Sequence, residues 1–224
     1  METNNTKPMD KTVLGILSTL LKSGITPFEG SDKYYEDADK ALQERIYQEF
    51  GISVLDFKIR KITTKPDEDF ILLSINGGFS LFVNTTTGIQ SAGYINYYSD
   101  GECDLHIAPT VSTGNRIEFM ATAAHELSHT VHHCMIQNHG ELFTERVAYE
   151  QSYGIYMQAG MIDKAEEVKN VAMTHFFNGE PYWGDYDPEY DLNWNIFKHK
   201  ILCQKLNREI LTIKGFYQLT NFIN

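Results

Sequence analysis

Ala124-His125-Glu126-Leu127-Ser128-His129-Thr130 places two histidines four residues apart, with a glutamate directly after the first. On an α-helix, residues four apart lie on one face, so both imidazoles can reach a single ion. Zinc accepts neutral imidazole nitrogens at about 2.0–2.1 Å in tetrahedral geometry. Glu126 sits about 100° round the helix from His125 and leans toward the open side of such an ion. There it can take a proton from a water that the metal activates. The spacing has this meaning only on a helix, and the flanking residues supply one. Met120, Ala124, Leu127, Val131 and Cys134 recur at helical intervals as an apolar stripe beside the two histidines.

The neighbouring histidines fit the ion less well. His129 and His133 are also four apart, but Thr130 stands where the glutamate would be. His132 is seven residues from His125, about 10 Å along a helix axis, too far for one zinc to hold both. A catalytic zinc keeps three protein ligands and one open position. A third histidine six residues after His129 is excluded, because position 135 is methionine, and His139 falls in the turn closed by Gly140. The next helical segment offers Glu141, Glu145 and Glu150. If that segment folds back antiparallel after Gly140, simple counting favours Glu150, and a loose first turn admits Glu145.

Outward from the motif, the texture changes twice. Helical patterns run over about 11–22 and 35–50, the second with Ala41, Leu42, Ile46, Tyr47 and Phe50 on one side and Gly51 as its stop. From Ile52 to Pro109 the pattern is β. Ile52–Lys61 alternates, Phe70–Ile75 and Phe79–Val83 flank Asn76-Gly77-Gly78, and Gly93–Tyr98 and Cys103–Ala108 flank Ser99-Asp100-Gly101. Pro109 closes the last strand. Beyond Gly114 the pattern is helical, over about 115–138, 141–159, 161–177 and 193–213. Strands gathered before helices predict an α+β class. The expected organisation is a single domain over residues 1–224. It has a loose N-terminus at 1–10, a sheet region at 52–109, metal-site helices at 115–160 and a helical C-terminal lobe at 161–224.

His125-Glu126-Leu127-Ser128-His129 resembles the zinc motif of the HExxH metallopeptidases, the zincins. Downstream, Glu145-Arg146-Val147-Ala148 resembles the Glu-x-x-Ala pattern in which gluzincin-type families place their third ligand. The resemblance covers about residues 115–160. It implies a zincin-like fold: a small, mostly antiparallel sheet, then an active-site helix and a C-terminal helical region. It implies Zn2+ held by His125, His129 and Glu145, with Glu126 as general base in peptide-bond hydrolysis, and a protein or peptide as substrate. Small domains of this layout are similar to metallopeptidase domains of bacterial toxin and effector systems. Zincins also pair extended substrate with an edge strand near the zinc helix, a role open here to Asp104–Ala108 or Tyr94–Tyr97. Tyr149, Tyr153, His175 and Tyr182 are candidates for steadying the developing oxyanion. His106 is expected to be a sheet histidine rather than a ligand. The alternative is a zinc-stabilised binding or regulatory module without hydrolytic activity. A metal-free helical interaction domain is a further rival.

Composition narrows the partners. The chain of 224 residues has 19 Lys and Arg against 30 Asp and Glu, a formal charge of −11. That charge disfavours nucleic acid and anionic membrane surfaces, both of which call for a basic face. Apolar residues at 42% suffice for a core. The acidic, aromatic loop from Gly179 to Asp191 alternates Asp185, Asp187, Glu189 and Asp191, but a calcium loop needs glycine sixth and glutamate twelfth, where Tyr190 and Ile196 stand. Val13–Leu21 is apolar but lacks the flanks of a cleaved signal, and no run reaches the length of a membrane span. Cys103, Cys134 and Cys203 form no disulfide framework and no zinc knuckle. A cytoplasmic location, or export without a recognisable N-terminal signal, is expected. The sequence does not specify an oligomeric state.

Overall fold

The computed structural model describes residues 11–75, 79–135 and 141–175. Its first element is helix α1 (Lys11–Lys22), from which Leu20 packs against a sheet while Leu21 stays exposed. Strand β1 (Ile25–Pro27) follows, then helix α2 (Asp32–Phe50). Ser31 caps α2 by accepting from the Tyr34 amide, and Gly51 closes it in the left-handed conformation at φ 67°. The helix buries Tyr35, Leu42, Ile46 and Phe50. Ala41 and Tyr47, expected on the same side, face solvent.

The strand expected over Ile52–Lys61 is shorter and later. Asp56 accepts bonds from both the amide and the hydroxyl of Ser53. These local bonds curl residues 53–58 into a turn, with Phe57 and Lys58 left-handed at φ 53° and 56°. Side-chain bonding to the backbone overrides the alternation here. Extended structure begins only at β2 (Ile59–Thr63).

Strands β3 (Phe70–Ile75), β4 (Phe79–Asn84), β5 (Gln90–Ser91), β6 (Gly93–Tyr97) and β7 (Cys103–Ile107) complete the β region. Both expected hairpins form. β3 pairs antiparallel with β4, Ile75 opposite Phe79, and β6 pairs antiparallel with β7, Tyr97 opposite Cys103. The turn at 76–78 lies outside the described residues. Among the described residues the strands form two sheets rather than one. The first, in order β1-β3-β4-β5, is antiparallel throughout, and the second, β2-β7-β6, joins β2 parallel to β7. The segment from Gln90 to Tyr97 passes from the edge of the first sheet to the edge of the second, and Ala92 between them accepts a bond from the Ala108 amide.

Pro109 ends β7 and also starts a short helix, α3 (Pro109–Thr113), at a position where the missing N–H costs nothing. Helix α4 (Arg116–Met135) begins at Asn115, whose side-chain oxygen accepts from the Ile117 amide at 2.8 Å. Its start is tied to α2: Arg116 grips Glu49 through two bonds of 2.6 and 2.7 Å, and the Arg45 guanidinium lies over the Phe119 ring. Helices α5 (Glu141–Gln158) and α6 (Ile162–His175) follow.

The main core lies where α2 and α4 pack on the second sheet. Leu105, Ile107, Ile62, Ile46, Phe119, Ala123 and Leu127 are all completely buried there. On the other side of that sheet, Tyr94 is stacked between Phe70 and His106, with Phe82 of the first sheet edge-on to Tyr94 and His106. A smaller apolar cluster of Ala121, Tyr156 and Ala165 joins α4, α5 and α6. The protein is thus α+β. Among the described residues, no helix is long and apolar enough to cross a membrane.

Candidate metal centre

Helix α4 carries His125, Glu126 and His129 along the edge of its buried stripe. Met120, Ala124 and Leu127 of that stripe are buried, and the side chains of Val131, His132, His133 and Cys134 lie outside the described residues. Buried hydroxyls on α4 bond back into the helix, Ser128 to the Ala124 carbonyl and Thr130 to that of Leu127. These bonds satisfy the hydroxyls without reaching toward the histidines.

Helix α5 brings the third group. Ser152 donates to the Ala121 carbonyl across the interface, and the Tyr149 ring meets His125 edge-on at 4.7 Å. The two helices therefore run antiparallel, with 152 opposite 121 and 149 opposite 125. That register brings 145 opposite His129. Counting from Gly140 favoured Glu150, because it placed the centre of the reversal too late in the chain. Glu150 instead accepts from Arg146 at 3.4 Å. Ala148 is completely buried, and so are Ala123 and Ala124 on α4. Small residues on both helices let the backbones come close.

Three donor atoms converge. Nε2 of His125 and Nε2 of His129 are 3.3 Å apart, and Oε2 of Glu145 lies 3.6 Å from the first and 3.7 Å from the second. The point in their plane equidistant from the three is about 2.0 Å from each, within the range of a zinc–nitrogen bond. Among the described residues, this is the one group of His, Cys, Asp or Glu side chains close enough to share an ion.

The electrostatics agree with the geometry. Burial pushes the His125 imidazole down to about 4, which keeps it in the neutral form that binds metals. Burial, and then the charge of Glu145, raises the Glu126 carboxyl well above the ordinary carboxylate range. The Tyr149 hydroxyl is raised by burial and by both glutamates. Two carboxyl groups and two imidazoles gathered in one space suit a divalent cation as counter-charge. Such an ion would hold Glu126 ionised, ready to accept a proton.

The other expected residues sort as follows. His106 lies outside the cluster, fully buried, with Nδ1 donating to the Lys65 carbonyl at 2.9 Å. Of the four oxyanion candidates, Tyr149 stands at the cluster, while Tyr153 packs with the apolar group that joins α4, α5 and α6. The side chain of His175 is outside the described residues, as are Tyr182, His139, the loop 179–191 and Cys203. Cys103 is buried and in no disulfide among the described residues. Asp104–Ala108 is not an edge, since β7 lies between β2 and β6, whereas Tyr94–Tyr97 in β6 is one among the described residues. Gly93 at the start of β6 had no place in the sequence reading, yet it packs directly against Glu126. Its only sequence signal was a glycine where a strand begins.

No family model matches the chain, and no curated protein or solved structure is significantly similar to it.

Proposed function

We propose that the protein is a zinc-dependent metallopeptidase of the HExxH type, cutting peptide bonds in extended polypeptide. The observation that carries this reading is the triangle of His125 Nε2, His129 Nε2 and Glu145 Oε2, sized for one zinc ion, with the Glu126 carboxylate next to it in sequence and buried. When bound, zinc supplies Lewis acidity that activates water and polarises a carbonyl. Glu126 takes the proton of the attacking water and passes it to the departing amine nitrogen. His125 and His129 would hold the ion through their Nε2 atoms, with the Tyr149 ring edge-on to His125. The β6 edge, whose first residue abuts Glu126, offers main-chain groups to an extended substrate. A purely structural zinc site would close its fourth position and would have no use for a buried glutamate beside it.

The test is cleavage of an unstructured protein by the purified full chain. Cleavage is expected to stop with a chelator and return with zinc. A chain that holds stoichiometric zinc and cleaves nothing would be a binding module instead.

A further inference from the structure

Gly93 opens β6, and its backbone is outside the left-handed region, so no torsional demand calls for glycine there. The demand is steric. A β-carbon at position 93 would stand 2.9 Å from Cγ of Glu126, 3.0 Å from its Oε1 and 2.9 Å from the main-chain oxygen of His106. Carbon atoms in good contact keep about 3.5–4.0 Å apart. Neither wall retreats easily. On one side, Gly93 is paired with Ile107, and the next residue, Tyr94, is stacked on Phe70 at 3.8 Å and on His106 at 4.2 Å. On the other side, Ala124 and Leu127 fix α4 in the core without exposure. The Glu126 side chain is the part left to move.

We infer that Gly93 is a positioning residue for Glu126, its missing side chain being the space that holds the carboxylate against the edge of β6. The inference rests on the proposed role of Glu126 as base, and it adds what fixes that base in place. A methyl group at position 93 displaces the carboxylate from the edge strand. Misplacement by about 1 Å costs on the order of 100-fold in rate.

The test is a cycle of four full-length proteins: wild type, Gly93→Ala, Glu126→Ala and the double variant. Thermal unfolding is measured on each. Gly93→Ala is expected to lower the midpoint by about 5 °C in the wild-type background, and a measurable part of that loss is expected to vanish with Glu126→Ala, which removes Cγ and Oε1 and leaves the His106 carbonyl contact. If Gly93→Ala folds only together with Glu126→Ala, the result has the same meaning. Equal losses in both backgrounds, or folding in neither, would overturn the inference, because the clash would then lie with the His106 carbonyl alone. This readout needs no activity, so it stands apart from any failure of the peptidase reading. Where cleavage is measurable, Gly93→Ala is expected to lower kcat at least 10-fold with zinc affinity unchanged. The loss is expected to be smaller in the Glu126→Asp background, where the side chain is one methylene shorter. A fall in zinc affinity matching the fall in kcat would contradict a positioning role.

Discussion

His106 shows how one residue ties the two sheets to the behaviour of the whole chain. Its ring is completely buried, stacked at 4.2 Å on Tyr94. Burial lowers its pKa from 6.5 to about 4, against a smaller upward pull from the Lys65 carbonyl. The unfolded chain therefore takes up this proton near pH 6.5 and the folded chain only near pH 4. Stability contributed by the neutral ring is complete above about 6.5 and is lost as the pH falls toward 4. The loss is on the order of 2–3 kcal/mol. His106→Gln is expected to flatten the pH dependence of urea unfolding across that window, relative to wild type. His125 and Glu126 titrate alike in both proteins and cancel in the comparison. Parallel pH profiles for the two would show that His106 is not buried neutral.

At the scale of elements, the close approach of α4 and α5 makes the site. Ala148, one turn from Glu145 on α5, is completely buried. Ala148→Leu is expected to force the helices apart, at about 1–3 kcal/mol in stability. It is also expected to weaken zinc binding about 10- to 100-fold, as changes that support metal ligands do. Competition with a chromophoric chelator measures the second effect. Loss of stability with zinc affinity unchanged would mean that Glu145 does not depend on this packing.

The same elements mark what was legible in the sequence. His125, Glu126 and His129 were readable because helix periodicity alone puts them on adjoining faces. The glutamate of α5 was not readable by counting, since the register of two helices is set by which small residues meet, and the contact of Ser152 with Ala121 is not local. The strand expected at 52–58 was lost to two bonds from Ser53 to Asp56, which outweigh an alternating pattern over so short a stretch. Gly93 was invisible because its neighbour, Glu126, is 33 positions away in the chain.

Across the whole molecule, helices α2 and α4 press on one side of the second sheet while the ring of Phe82 closes the other. The split into two sheets was hidden in the sequence, because both hairpins read alike and nothing local joins β2 to β7 in parallel. Its consequence is the continuous segment from Gln90 to Tyr97, which among the described residues has edge strands at both ends and Gly93 against Glu126. An edge of this kind takes a chain only in extended form. Reduced, unfolded proteins are therefore expected to be cut at least 10-fold faster than the same proteins folded, as followed by gel or mass spectrometry. Equal rates would place the substrate away from β6.

The claim on which all of this depends is that one zinc ion and one buried glutamate act together. The direct measurement is bound zinc and hydrolysis, side by side, in wild type and Glu126→Gln. One zinc per chain is expected in both, with hydrolysis in Glu126→Gln reduced at least 1000-fold. Full activity in Glu126→Gln, or wild-type protein that binds no stoichiometric zinc, would contradict the account.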